Sequence, residues 1–384
     1  MNQTYTAADF HVNPLMFYYE VTQACDLQCK HCRASAQENA APDELTHTQS
    51  LALIDEVASF PRKPNLCFTG GDPLKREDIF DLIRYAAQKE ISVALTPSAT
   101  PLATYDALEK AKKAGVRALG LSLDGADAEI HDAFRGWSGS FQRTMELLDY
   151  AWDLHLPVQI NTSITKRNVH QIDEIAELLA VRGIAMWSVF FLVPVGRGTE
   201  ETRISPEEYI TVFEKLWKHA QTKPFGVKTT EAPHYRRYVL QQGGNPLAPP
   251  KTGGSFAANL KFSSDEQKKN ETVLPSAKTG RGQGYRAPLG ITDGRGIMFV
   301  GHNGIIFPAG FLPVECGRFP ENSVVETYQK HPVFQALQNP DNYKGICGKC
   351  PDRFLCGGSR ARAYAVTGDY LGAEPDCLFE KISE

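Results

Sequence analysis

Most of the nine cysteines in this 384-residue chain fall into two groups whose spacing could hold metal. Cys25, Cys29 and Cys32 place three thiols on one short stretch. Thiolates are the ligands of iron–sulfur clusters, and a four-iron cube held by three of them keeps one iron open. A small molecule bearing an amino and a carboxylate group can bind that iron and take an electron from it. S-adenosylmethionine (SAM) carries both groups, and one-electron cleavage of its sulfonium C–S bond would release a 5′-deoxyadenosyl radical. That chemistry belongs to the cofactor, while the protein orients it. The competing reading is a structural zinc loop, which normally completes four ligands in tight pairs. Cys347, Cys350, Cys356 and Cys377 offer four thiols, enough to saturate either a tetrahedral zinc or a four-iron cluster, and their spacing leaves both open. Cys67 sits in an apolar run and reads as a small core residue.

These thiols need a scaffold, and the hydrophobic pattern describes one. From Leu15 to about Val195, short apolar strands alternate with longer amphipathic helices, the signature of a parallel α/β arrangement. The strands are LMFYYEV before Cys25, NLCFT before Gly70, ISVALT ending at Thr96, RALGLSL ending at Leu123, PVQINTSI from Pro157 and MWSVFFLV ending at Val193. Helical patterns cover Thr48 to Ser59, Glu77 to Lys89, Ala103 to Ala114, Phe141 to Leu154 and Val169 to Arg182. Six such units are fewer than a closed barrel has. The pattern therefore predicts an open, partial (β/α)6 barrel whose functional residues lie in loops at the C-terminal ends of the strands.

A helix near Pro206 to Gln221 closes this unit, residues 1–220. Residues 221–295 read as a linker or mobile insertion. From Gln242 to Arg286 they are rich in Gly, Pro, Lys, Ser, Asn and Gln, which suits a solvated loop or a substrate-ordered lid. Residues 296–384 read as a small, loop-rich C-terminal domain, with a hairpin at Asn303-Gly304, a helical stretch from Val324 to Leu337 and the second cysteine group.

Composition narrows the partners. With 42% hydrophobic and 22% charged residues the chain can bury a large core, and a formal charge of -4 gives no general attraction to nucleic acid or an anionic membrane. The N-terminus lacks a secretory pattern, and no stretch is apolar for long enough to span a bilayer. An odd number of clustered cysteines suits a reducing compartment, so a cytoplasmic protein is expected.

The stretch YEVTQACDLQCKHCRASA resembles the cluster loop of the radical SAM superfamily, with His31 standing where that family places an aromatic residue or its equivalent. Further elements follow in the family's order. Gly70-Gly71-Asp72-Pro73 resembles its Gly-Gly-Glu-Pro element, which binds the SAM amino group largely through backbone atoms; Asp72 replaces the usual Glu. Ser122 and Asp124 resemble positions that approach the SAM carboxylate or ribose and the substrate. Thr96, Ser98, Asn161 and Ser163 occupy strand ends where the family sets polar groups around ribose and methionine; polar residues at such ends also serve as ordinary caps. Arg197, in the loop Val193 to Gly198, could grip a carboxylate of SAM or substrate, or stand at the surface.

The run CGKCPDRFLCGGSRARAYAVTGDYLGAEPDC resembles the SPASM-type extension of radical SAM maturases, which holds auxiliary clusters. The resemblance implies a [4Fe-4S] cluster with one open iron on Cys25, Cys29 and Cys32, and one auxiliary [4Fe-4S] cluster on Cys347, Cys350, Cys356 and Cys377. A full extension carries more cysteines, so Cys316 is left as an exchange partner, a substrate-side thiol or a buried residue. The likeness is nearest to haem-pathway decarboxylases, related tetrapyrrole-modifying enzymes and mycofactocin-type maturases. It implies hydrogen-atom abstraction followed by side-chain decarboxylation or modification of a tetrapyrrole, with flavodoxin or ferredoxin as electron donor. Peptide maturation and non-catalytic electron transfer are the alternatives. Arg360 and Arg362 could meet propionates, or be salt-bridged within their own helix.

Overall fold

The structure, a computed structural model, describes residues 8–246 and 290–378. Nine strands form one sheet: β1 (Met16–Glu20), β2 (Asn65–Thr69), β3 (Val93–Leu95), β4 (Val116–Ser122), β5 (Val158–Ile164), β6 (Met186–Phe191), β7 (Gly226–Thr230), β8 (Ile297–Val300) and β9 (Ile306–Phe307). Their order is β7-β6-β5-β4-β3-β2-β1-β8-β9. Every neighbouring pair from β7 through β8 is parallel, and β9 returns antiparallel on β8 through the hairpin at Asn303-Gly304. The two edges of the sheet, β7 and β9, do not pair, so the barrel is open as expected.

Helices α1 (His47–Ala58), α2 (Ile79–Gln88), α3 (Tyr105–Ala114), α4 (Ala128–Arg135), α5 (Ser140–Asp153), α6 (Ile172–Ala180), α7 (Pro206–Thr222) and α8 (His234–Gln241) follow their strands in turn. Local chemistry sets several starts. Thr46 and Gln49 form a capping box on α1, and Ser205 and Glu208 form another on α7, where Pro206 takes the first turn at no cost in hydrogen bonds. The helices cover one face of the sheet. Phe17, Phe68, Leu119, Ile160, Val189 and Phe191 pack there against Leu53, Leu82, Leu108, Leu148, Ile175 and Phe213 in one continuous core.

Two strands lie outside the six expected. The segment 221–295, read as a linker, opens with β7 and α8, and the segment from residue 296 contributes β8 to the barrel sheet beside β1. Residue 295 is therefore no boundary between independent units. Strand β7 escapes notice because GVKTT is short and three of its five residues are polar, while β8 pairs with a strand far away in sequence. The expected helix Val324 to Leu337 is two helices, α9 (Val324–Lys330) and α10 (Pro332–Gln338), broken before a proline that has no N–H to continue the first. The insertion from Gln242 to Arg286 lies largely outside the described residues. The C-terminal part ends in α11 (Gly345–Lys349) and α12 (Arg360–Thr367), and no helix among the described residues is long and apolar enough to cross a membrane.

Candidate active site

Strand alternation builds the cavity. In β5, Val158, Ile160, Thr162 and Ile164 are buried on the helix side, while Gln159, Asn161 and Ser163 face inward. The other strands do the same, presenting Tyr18, Cys67, Ser122, Phe190, Thr230 and Phe299 to a common cavity of about 300 Å³. Polar and small side chains on the central strands leave room beside the aromatic rings that larger apolar residues would fill.

Cys25, Cys29 and Cys32 line the C-terminal mouth of this cavity together with Gly70, Gly71, Thr96, Ser98, Ser122, Asn161 and Ser163. The cysteine loop leans on the glycine loop through backbone bonds: Gly71 N–H donates to Thr22 O at 2.8 Å and Asp72 N–H to Ala24 O at 2.7 Å. A Cβ on Gly71 would stand 2.3 Å from Ala24 O, and one on Gly70 2.6 Å from Thr22 O. Glycine is therefore required for this close approach, whatever binds beyond it.

Each thiol of the first group receives a hydrogen-bond donor. Leu27 N–H points at Cys25 Sγ and Ala36 N–H at Cys32 Sγ, both at 3.4 Å, and Arg135 Nη1 lies 3.7 Å from Cys29 Sγ. Burial pushes the Cys25 thiol up to about 11 and raises that of Cys29 as well, so these residues depend on a positive partner to ionise. A donor set of three thiols, each with an N–H and facing one cavity, fits the ligands of an iron–sulfur cluster.

Four expected contacts do not line the cavity. Asp72 is fully buried: it accepts from Thr100 Oγ1 at 2.7 Å and from Leu74 N–H at 3.1 Å, so its carboxylate orders the loop whose backbone was expected to meet the ligand. Pro73 is buried in the same turn. Asp124 is also fully buried, accepting from Ser163 N–H at 2.7 Å and pairing with Arg135 at 2.6 Å. Arg197 turns toward the protein, its guanidinium donating to Cys29 O and Ala36 O, both at 2.8 Å. It clamps the cysteine loop through main-chain carbonyls, a third role beside the two considered from sequence.

Arg135 is a site residue that sequence reasoning missed. It ends α4, an eight-residue helix capped by Asp127 and stopped by Gly136 in the left-handed conformation. The ion pair with Asp124 holds its guanidinium against Cys29. His31 stacks on Phe134 of the same helix, centroids 4.3 Å apart, and burial pushes its imidazole down to about 4.

The remaining wall comes from the late strands and the C-terminal part. Phe190, Phe299 and Phe311 face the cavity beside Lys228, Thr230, Glu231 and Asp293. Arg33 lies over the Phe299 ring at 4.5 Å and pairs with Glu20 at 2.6 Å. Glu231 and Asp293 hydrogen-bond to each other, and burial followed by this contact raises Glu231 well above the usual carboxylate range. Two carboxyls in such contact keep a proton between them.

The second group also converges. Cys347, Cys350, Cys356 and Cys377 line one small hollow of about 20 Å³ with His234, Arg237 and Glu374. Glu374 N–H donates to Cys347 Sγ at 3.3 Å and Gly358 N–H to Cys356 Sγ at 3.4 Å. Among the described residues no group of three or more His, Cys, Asp or Glu side chains is set to hold a single metal ion. A four-iron cube takes its thiolates at separate corners, and its ligands need not meet at one point. Arg360 and Arg362 are fully buried: Arg360 donates to Gly372 O at 2.6 Å, and Arg362 pairs with Glu374 at 3.1 Å and Asp376 at 3.2 Å. They are internal braces and do not meet propionates. Cys316 is buried, its thiol pushed up to about 12 by burial, and it lines neither cavity.

Residues 19–179 match the Radical SAM superfamily. Over 95% of its length the chain is 38% identical to the AdoMet-dependent heme synthase of Methanosarcina barkeri, covering 97% of that protein. It is 35% identical to the mycofactocin maturase MftC of Mycobacterium tuberculosis, covering 95% of this chain and 83% of that one. In fold it is similar to Streptococcus suis SuiB bound to S-adenosylmethionine, with a TM-score of 0.66 at 16% identity, over 96% of this chain and 78% of the other.

Proposed function

Because the chain belongs to the radical SAM superfamily and is an enzyme of that class, we propose that it removes a carboxylate from, or otherwise modifies, a side chain of a tetrapyrrole. The observation that carries this reading is the make-up of the barrel cavity. Its mouth bears the three-cysteine loop, and its wall combines aromatic rings (Phe190, Phe299, Phe311) with cationic groups (Arg33, Lys228). Flat apolar ligands with carboxylate edges suit such a wall. The near full-length likeness to a heme synthase points the same way.

Cys25, Cys29 and Cys32 would hold a [4Fe-4S] cluster, with SAM on the side of Gly70, Gly71, Thr96, Ser98, Ser122, Asn161 and Ser163. When bound and reduced, the pair supplies one-electron cleavage of the sulfonium and a radical able to take a hydrogen atom from a C–H bond. Arg135 and the backbone donors point at the three sulfurs and would support them as cluster ligands, and Arg197 fixes the loop that carries them. Cys347, Cys350, Cys356 and Cys377 would hold the auxiliary [4Fe-4S] cluster, saturated by protein and suited to relay electrons from the cavity. A flavodoxin or ferredoxin would serve as donor.

Reduced protein is to be incubated with SAM and an iron porphyrin bearing propionate side chains, and the porphyrin followed by mass spectrometry. Conversion of propionate to vinyl with release of CO2 supports the reading. The maturase reading, which draws on the likeness to MftC, wins if 5′-deoxyadenosine forms but the porphyrin emerges unaltered while a precursor peptide is modified.

A further inference from the structure

The cavity holds three cationic side chains, and they differ in one respect. Arg33 is paired with Glu20 and Arg135 with Asp124. Lys228 is paired with nothing: among the described residues no carboxylate, carbonyl or hydroxyl meets its ammonium. It stands on β7, whose register sets it beside Ser188 of β6, with Asn161 of β5 one strand further. The titratable groups that face it are Cys67 and Arg236. Neither supplies an anion, because burial pushes the Cys67 thiol up to about 12 and Arg236 is itself a cation bonded to Leu355 O and Ile291 O.

Lys228 is half-buried on the cavity wall, and an ammonium partly withdrawn from water with no counter-ion beside it is costly, which moves this one down to about 8. The cost falls when a ligand brings the counter-charge. Such a lysine, aimed into a cavity that must receive a substrate, is an anion site already built into the barrel wall. We propose that Lys228 seats a carboxylate of the substrate, fixing which edge of the molecule turns away from the lysine and toward the cysteine loop. The inference rests on the tetrapyrrole reading and adds to it the residue that recognises substrate charge.

The test uses the cluster-loaded protein without SAM and reads binding by the shift in porphyrin absorbance. Two probes are compared: an iron porphyrin with propionate side chains, and the same porphyrin with those groups converted to amides. Wild-type protein is expected to bind the acid more tightly than the amide. Lys228→Gln should weaken the acid by roughly 10- to 100-fold, the worth of a charge-assisted hydrogen bond, and leave the amide unchanged. Lys228→Arg should keep most of the acid affinity. Acid binding unchanged in Lys228→Gln, or acid and amide weakened alike, overturns the role of Lys228 while the tetrapyrrole reading stands. Failure of the wild type to bind either probe removes both.

Discussion

At the scale of single residues, buried charge explains which polar groups are functional and which are braces. Asp124 is legible in the sequence as a strand-end carboxylate, but its burial and its pairing with Arg135 make it a support for the cysteine loop. Arg135→Met should leave that carboxylate uncompensated and lower the unfolding free energy by about 3–5 kcal/mol, measured by chemical denaturation of the cluster-free protein. Adding Asp124→Asn should recover a large part of the loss; a single variant as stable as wild type would contradict the pairing. Sequence spacing marks the cysteines, Gly70 and Gly71 because chemistry fixes those residue types. It does not mark Lys228, Arg33 or Arg135, since a charged side chain looks the same in a chain whether it faces solvent or a cavity.

Elements show why some of the site was readable and some was not. Strand β5 alternates cleanly, and PVQINTSI alone tells which of its residues face the helices and which the cavity. Strand β7 has no such pattern, and α4 is too short to show helical periodicity before α5 begins. The close packing of the cysteine and glycine loops gives a direct test. Gly71→Ala forces a methyl group into the carbonyl of Ala24 and should cost about 2 kcal/mol or more, with a drop in iron retained after reconstitution. Wild-type stability and iron content in that variant would mean the two loops are free to separate.

For the whole molecule, the C-terminal part is built into the barrel, joined through β8 and through polar ties to β1. Glu20 accepts from Arg33 and from His302, the latter at 2.7 Å. Despite the opposing effect of burial, Arg33 and His302 hold Glu20 below the usual carboxylate range, and Glu20 raises His302 above the usual imidazole value. The contribution of Glu20 to stability is therefore present above its unfolded value and is lost as pH falls through its lower folded one. That of His302 is complete below its unfolded value and fades as pH rises through its higher folded one. Thermal denaturation against pH should show the alkaline loss in wild type and not in His302→Gln; identical profiles would show that His302 does not tie the two parts together. Such long-range ties between residues nearly three hundred apart leave no local trace in a sequence.

The central claim is that Cys25, Cys29 and Cys32 bind the cluster that cleaves SAM while the second group binds another. It is tested most directly by counting iron and 5′-deoxyadenosine in oxygen-free, reduced protein, wild type against the variant with all three of these cysteines changed to Ala. The account predicts about eight irons per chain and nucleoside formation in wild type, against about four irons and none of the nucleoside in the variant. A variant that still cleaves SAM, or a wild type that takes up zinc in place of iron, would contradict it.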